Sequence, residues 1–140
     1  MDVRVKWIEE RSFVGACESG HKIAFGAVGS DGTKPGPSPM ELILMGTGGC
    51  SVYDVVAILE KGRQAVENVD VELHADRAET DPKIFTRIHM HFIVKGRKLD
   101  EKRVARAIEL SIEKYCSASA MMQKSAELTH DFEIIDTSDA

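Results

Sequence analysis

The sequence predicts an α+β protein in which antiparallel sheet packs against helices on one face. Alternating apolar and polar residues predict three strands within residues 3–26 and two longer strands at 69–77 and 84–94. A nearly continuous apolar stretch around residues 40–59 predicts a buried central helix. Because strands and helices come in separate runs, we expect an α+β arrangement rather than a parallel α/β sheet.

Length and charge exclude several classes of function. The chain has 140 residues, and we expect one domain spanning residues 1–140. Its formal net charge of −5 and the lack of a basic cluster argue against a nucleic-acid partner. The apolar runs look too short for a membrane span, and the N-terminus lacks the apolar block of a signal peptide. We therefore expect a cytoplasmic protein with no membrane partner, in which any disulfide is transient.

The first part of the chain predicts a β-meander followed by a loop. Residues 3–7 alternate, and segments 12–17 and 21–26 follow as the second and third strands. Cys17 lies in the second strand with no helix terminus nearby, so we interpret it as structural. Glycines and prolines in residues 27–38 predict the loop.

The first helix has a strong start signal. Ser38 is the predicted N-cap, Pro39 takes the first helical position, and Glu41 completes a capping box. Three glycines then predict either an interruption of the helix or very close packing: Gly46, Gly48 and Gly49. The helix is expected to resume over residues 50–61, with Gly62 as its C-cap.

The rest of the chain predicts a helix over 100–115, a helical segment over 117–126 and a strand over 130–136. The polar faces of strands 69–77 and 84–94, one acidic and one basic, are expected to pair across an antiparallel ladder. Inward-facing side chains are expected at Val104, Ile108, Ile112, Tyr115, Met121, Met122 and Ser125.

Two cysteines are the main candidates for chemistry. Cys50 follows the glycines and Cys116 precedes the 117–126 segment, so each lies where a helix is expected to begin or restart. A helix start offers free N–H groups and the positive end of the dipole, which favour a thiolate. Asp54, one turn beyond Cys50, would oppose that effect. A cysteine among glycines and alanines also fits a small buried hydrophobe, so both readings stay open.

Metal and cofactor sites have little support in the sequence. His89 and His91 share one face of a strand and are possible zinc ligands. No further ligand stands at a recognisable spacing, so we predict a solvated polar face and no metal. Phosphate-binding and dinucleotide motifs are lacking, so we expect no cofactor. Thiol redox chemistry is what remains: a sulfenic acid on one cysteine, a disulfide with a second, and reduction by an external thiol.

Three motifs together carry a family resemblance: Ser38-Pro39-Met40-Glu41-Leu42, Gly48-Gly49-Cys50-Ser51 and Glu113-Lys114-Tyr115-Cys116-Ser117. With this spacing and order of elements, the chain resembles the OsmC/Ohr family along essentially its whole length. Arg4-Val5-Lys6-Trp7 and His91-Phe92-Ile93-Val94 are most similar to its YhfA-like branch.

The resemblance implies an OsmC-like intertwined homodimer, with two central helices wrapped by antiparallel sheets of both chains. It implies a thiol-dependent peroxidase that reduces organic hydroperoxides in oxidative-stress defence. By that likeness Cys50 is the peroxidatic cysteine, Cys116 resolves it as a disulfide, and Glu41 holds an active-site arginine. The family's arginine comes from the N-terminal strands. Arg11 is the nearest candidate here, although its local sequence differs from the family's.

Two other functions fit the same sequence. One is a non-enzymatic protein of this fold that binds a small ligand near Cys50 or senses redox state. The other is a structural dimer with inert cysteines. A reactive thiolate at Cys50 favours the enzyme or the sensor, whereas an ordinary thiol favours ligand binding.

Overall fold

The structure, a computed structural model, describes residues 1–138; residues 139–140 lie outside the described part. The chain divides into two compact units, residues 1–45 and the residues from Gly46 onward. The expectation of one domain over residues 1–140 stays a prediction.

The first unit contains the predicted β-meander. It consists of β1 (Val3–Glu9), β2 (Ser12–Cys17) and β3 (Lys22–Gly26), joined as a three-stranded antiparallel sheet in the order β1-β2-β3. The register places Gly15 opposite both Val5 and Ile23. Side chains that alternate along β1 therefore separate into two faces of the sheet.

Helix α1 (Pro39–Lys61) begins in the first unit and continues into the second. The capping box is confirmed: the Ser38 N–H donates to Glu41 Oε1 at 2.9 Å, and the Glu41 N–H donates to Ser38 Oγ at 3.2 Å. The expected interruption at the three glycines is wrong, because the helix is continuous. At its end Arg63, not Gly62, adopts the left-handed conformation, with φ of 58°.

Among residues 1–138, one helix is long and apolar enough to cross a membrane, judged by length and composition alone. This helix is α1, with a mean hydropathy of 1.8. The expectation that every apolar run is too short was therefore wrong. This is weak evidence for a membrane span, since the core helix of a soluble protein meets the same test. The absence of a membrane partner stays a prediction.

The second unit holds a sheet of three longer strands, β4 (Ala65–Arg77), β5 (Phe85–Arg97) and β6 (Glu127–Asp136), in that order. β4 and β5 pair antiparallel, but β5 and β6 pair parallel, so the expectation of purely antiparallel sheet is wrong here. The helices that follow β5 form the crossover that a parallel neighbour needs.

The polar faces of β4 and β5 are in the expected register, with Glu72 opposite His91 and Asp76 opposite Arg87. The start of β5 differs from the prediction. A register shift next to Asp76 changes the alternation, so that Phe85 is buried and Ile84 is exposed.

The second predicted helix, over residues 100–115, consists of an α-helix followed by a π-helical turn. Helix α2 (Glu101–Leu110) has Asp100 as its N-cap, which accepts from the Lys102 N–H. A single π-helical turn, Ser111–Tyr115, follows, and α3 (Ser117–Met122) comes next. Because the π-turn changes the angular spacing of side chains, Tyr115 and Met121 are exposed although they were expected to face inward. Helix α3 ends before the expected residue 126, so Ser125 lies outside it and is also exposed.

The core of the second unit lies between its helices and its sheet. Gly48 shows how closely α1 packs on β4, since a Cβ atom there would lie 2.7 Å from Leu73 Cδ1. The close-packing interpretation of this glycine is therefore confirmed. The most fully buried apolar side chains of the core come from α1, β5 and α2: Val55, Leu59, Ile88, Met90, Phe92, Val94, Val104 and Ile108.

Candidate functional site

Cys50 lies in the middle of α1, and its side chain is half-buried. The expectation that it marks a helix start is wrong, because Gly46, Gly48 and Gly49 stay within the helix. The free N–H groups of a helix start therefore do not reach this thiol.

Cys116 is positioned by the π-turn. Its N–H donates to the Ser111 carbonyl oxygen at 2.7 Å, which is the five-residue bond of a π-helix. Its backbone is extended, and its Sγ accepts from the Ser119 N–H at 3.3 Å as the N-cap of α3. The predicted helix start is confirmed for this cysteine. The side chain is only 2% exposed.

The fold brings both cysteines and one carboxylate together. The Sγ atoms of Cys50 and Cys116 and a carboxylate oxygen of Asp54 all lie within 4.8 Å of one another. Both cysteines are free thiols. The pair is thus close enough for a small movement to form an S–S bond of about 2.05 Å.

A buried set of hydroxyls supports this cluster. The Oγ atoms of Ser51 and Ser111 are hydrogen bonded at 2.9 Å. The Ser111 hydroxyl lies within donating distance of the Ser51 carbonyl oxygen, at 3.2 Å, and of Asp54 Oδ2, at 3.1 Å. Because Ser51 follows Cys50 and Ser111 opens the π-turn before Cys116, these bonds hold the two cysteine-bearing segments together.

The environment of Cys116 favours the protonated thiol. Burial raises the pKa of Cys116, and the proximity of Cys50 adds to the rise. Interaction with the hydroxyl and N–H of Ser119 opposes it. The Ser119 hydroxyl is buried and makes no well-formed hydrogen bond within residues 1–138. The N–H group at the helix start lowers the pKa of Cys116 as expected, but desolvation outweighs it, so the net effect favours the thiol.

The two thiols differ in accessibility, which is chemically useful. A half-buried Cys50 can meet a small oxidant, whereas Cys116 is shielded from solvent and faces Cys50. Asp54 also lines a surface cavity of about 360 Å³, together with Ala57, Ile58, Lys61, Leu110 and Tyr115. Its lining is largely apolar and suits an organic group more than a charged one.

Glu41 is held by its own loop. Besides the capping box, its Oε1 accepts from Lys34 Nζ at 2.7 Å. The hydrogen bond and charge of Lys34, with the bonds from Ser38, lower the pKa of Glu41 to about 2. Arg11 donates to the Glu10 carbonyl oxygen at 3.0 Å. A role for Glu41 in holding an arginine, with Arg11 as that arginine, stays a prediction.

Cys17 is exposed at the end of β2, and its interpretation as a structural residue stays a prediction. His89 and His91 lie on the polar strand face as predicted. His89 Nε2 and His91 Nδ1 lie 3.0 and 2.7 Å from Asp131 Oδ1. A carboxylate of β6 thus binds both rings, which accounts for this face without a metal.

Sequence reasoning identified Asp54 as a neighbour of Cys50 but missed its proximity to Cys116. It also missed the supporting residues Ser51 and Ser111. One signal was present: Cys50 and Asp54 are four residues apart, so a helix presents them on one face. Ser111 had no such signal, because its position depends on how the π-turn packs against α1.

Comparison with known proteins agrees with this architecture. The family model described as OsmC-like protein matches residues 30–131. Protein YhfA of Escherichia coli K12 is 50% identical over 135 residues, which cover 96% of this chain and 98% of that protein. A hypothetical protein from Aquifex aeolicus has a similar structure, with a TM-score of 0.86 and 34% identity, covering 98% of this chain and 97% of that one.

The fold also extends to distant structures. An organic hydroperoxide resistance protein OsmC from Legionella pneumophila has a TM-score of 0.70 at 14% identity, covering 95% of this chain and 97% of that one. Such low identity shows a shared fold alone. Given the family match and the half-identical relative, the chain belongs to the OsmC-like protein family.

Proposed function

We propose that this protein is a two-cysteine thiol peroxidase that reduces hydroperoxides, organic ones in particular, as a defence against oxidative stress. The observation that carries the proposal is the placement of the Cys50 and Cys116 sulfurs within 4.8 Å of each other, one half-buried and one buried. The Legionella relative of the same fold is named for organic hydroperoxide resistance, which supports the choice of substrate.

The chemistry proceeds in three balanced steps. The Cys50 thiolate attacks one oxygen of the hydroperoxide, the O–O bond breaks, and an alcohol leaves with a proton while Cys50 becomes a sulfenic acid. The Cys116 sulfur then attacks Cys50 Sγ, forming the disulfide and releasing water. An external dithiol gives two electrons and two protons to the disulfide and is itself oxidised to a disulfide.

Asp54 is well placed to take part in proton transfer. Its carboxylate lies within 4.8 Å of both sulfurs and accepts a hydrogen bond from Ser111. We assign it the role of accepting the proton of the attacking thiol. Once it has accepted that proton, Asp54 is neutral and does not repel the thiolate that results. The Ser111 hydrogen bond holds the Asp54 side chain in position.

We further infer a homodimer. The first sheet exposes apolar side chains, and Val5 and Trp7 are 59% and 65% exposed. Val3, Val5, Ile23 and Phe25 also line an apolar cavity of about 220 Å³ with Leu42. An uncovered apolar face of this kind is typical of a surface that a second copy of the chain covers.

The experiment is to measure oxidation of reduced protein by hydrogen peroxide and by a bulky alkyl hydroperoxide. We expect the alkyl compound to react faster, because Asp54 borders the apolar cavity. Ala57→Phe, which fills that cavity, should slow the alkyl reaction selectively. Cys50→Ser should abolish both reactions, whereas the matched control Cys17→Ser should leave both intact.

Equal activity in wild type and Cys50→Ser would sink the proposal. Slow reaction of Cys50 with both peroxides, together with tight binding of an apolar ligand, would favour a binding protein instead.

A further inference from the structure

We propose that the reduced form binds one soft divalent cation, such as Zn²⁺, between Cys50, Asp54 and Cys116, and releases it when the two cysteines are oxidised. The site combines two thiols and one carboxylate, the donor types that zinc takes in proteins. The inference goes beyond peroxide reduction and does not depend on it.

The geometry is near that of a zinc site. With Zn–S of about 2.3 Å and Zn–O of about 2.0 Å, tetrahedral coordination places the ligand atoms about 3.5–3.8 Å apart. The three atoms here lie within 4.8 Å of one another without a cation. Movements of about 1 Å, within the range of side-chain rotation, bring them to ligand distance. Three protein ligands leave a fourth position open, as in zinc sites that also bind water.

Binding a cation at this cluster requires both thiols to lose their protons. The two sulfurs and the Asp54 carboxylate would then carry three negative charges in a partly buried space. The hydrogen bond that Asp54 accepts comes from the neutral hydroxyl of Ser111. A divalent cation lowers the cost of holding these groups deprotonated side by side.

The second layer of contacts is of the kind that orients metal ligands. The Ser119 N–H donates to Cys116 Sγ at 3.3 Å, and Ser111 donates to Asp54 Oδ2 at 3.1 Å. Two of the three ligands are therefore already fixed by hydrogen bonds. Outer partners of this kind typically contribute 10–100-fold to metal affinity.

Cation binding and oxidation exclude each other at this site. A disulfide has no thiolates, so formation of the Cys50–Cys116 bond removes both sulfur ligands. The two sulfurs give two electrons to a hydroperoxide, which takes up two protons and is reduced to an alcohol and water. Bound Zn²⁺ should therefore slow oxidation of Cys50, and oxidation should release Zn²⁺ to solution.

The test uses the full chain, reduced and freed of metal, titrated with Co²⁺ and then competed with Zn²⁺. We expect one Co²⁺ per chain, with sulfur-to-cobalt charge-transfer absorption and the visible bands of a tetrahedral site. Zn²⁺ should displace it. Cys50→Ser and Cys116→Ser should each lose the charge-transfer band, and Asp54→Asn should weaken binding by at least about 10-fold.

Two controls locate the site. Cys17→Ser should bind as the wild type does, since Cys17 is exposed and distant in sequence from the cluster. His91→Ala should also bind normally, which separates the cluster from the histidine face. Circular dichroism checks that every variant is folded, and a zinc-sensitive dye should register release when the reduced wild type is treated with peroxide.

Three results would overturn the proposal: the absence of stoichiometric binding to reduced wild type, binding that survives in a folded Cys50→Ser variant, and binding that is lost in Cys17→Ser or His91→Ala. None of these outcomes bears on peroxide reduction, which can be measured separately in metal-free protein.

Discussion

The Ser51 and Ser111 hydroxyls form a buried hydrogen bond of 2.9 Å that joins the middle of α1 to the start of the π-turn. Each serine stands close in sequence to one cysteine of the candidate site. This bond therefore links the local folding of two distant segments to the distance between their sulfur atoms.

Ser111→Ala tests that link. The substitution removes the donor to Asp54 Oδ2 and the hydrogen-bond partner of Ser51 Oγ, and an unsatisfied buried group costs about 1–3 kcal/mol. We expect the free energy of unfolding to fall by that amount in urea denaturation and disulfide formation to slow. Ser19→Ala, at an exposed position, is the control. A loss no larger than the control's would mean that the hydroxyl network does not hold the site.

Arg63→Gly should stabilise the protein. Arg63 has φ of 58°, a conformation that costs an ordinary residue about 1 kcal/mol and costs glycine almost nothing. The Gln64 N–H still bonds to the Leu59 carbonyl oxygen at 2.9 Å, so the helix end keeps its shape. A rise in melting temperature is the expected result. Arg63→Ala should bring no such rise, and equal behaviour of the two variants would contradict the argument.

The His91–Asp131 pair should make stability depend on pH. The Asp131 hydrogen bond raises the pKa of His91, whose contribution is complete below about 6.5 and is lost as pH rises through the raised value. The same bond lowers the pKa of Asp131, whose contribution is complete above about 3.8 and is lost as pH falls through the lowered value. Their joint contribution is greatest between these limits.

Proton NMR titration of the His91 ring measures this coupling directly. Asp131→Asn should move its midpoint towards the acid side, because the carboxylate no longer stabilises the imidazolium. Asp76→Asn, which removes the partner of His74, is the matched control. An unchanged His91 midpoint in Asp131→Asn would show that the pair does not form in solution.

Substitutions on the exposed sheet of the first unit test the proposed homodimer. Val5→Asp places a charge on its apolar face and should shift light-scattering mass towards the monomer, with loss of stability at low protein concentration. Lys6→Asp, on the opposite face of the same strand, should leave the mass unchanged. A folded wild-type monomer at micromolar concentration would contradict the dimer.

The sequence predicted much of this fold because its signals are local. The capping box at Ser38 and Glu41 and the alternation along β4 depend on neighbouring residues, and both predictions are confirmed. The parallel pairing of β6 and the continuous path of α1 through its glycines were missed. Both depend on contacts between distant segments, as with Gly48 against Leu73.

The candidate site was predictable only in part. Cys50 and Cys116 were identified from motifs, but the reason given for Cys50, a helix start, was wrong. The position of Asp54 next to both sulfurs needed the three-dimensional structure, because Cys116 and Ser111 come from another segment of the chain. Sequence spacing carries no information on contacts between such distant segments.

The most direct measurement is peptide mass mapping of the reduced, metal-free protein after one equivalent of hydroperoxide. The proposed mechanism predicts a single disulfide between Cys50 and Cys116 of the same chain, with Cys17 still free. In Cys116→Ser it predicts a Cys50 sulfenic acid, or the sulfinic acid on further oxidation. A disulfide that contains Cys17, or consumption of the peroxide with both Cys50 and Cys116 still free thiols, would contradict it.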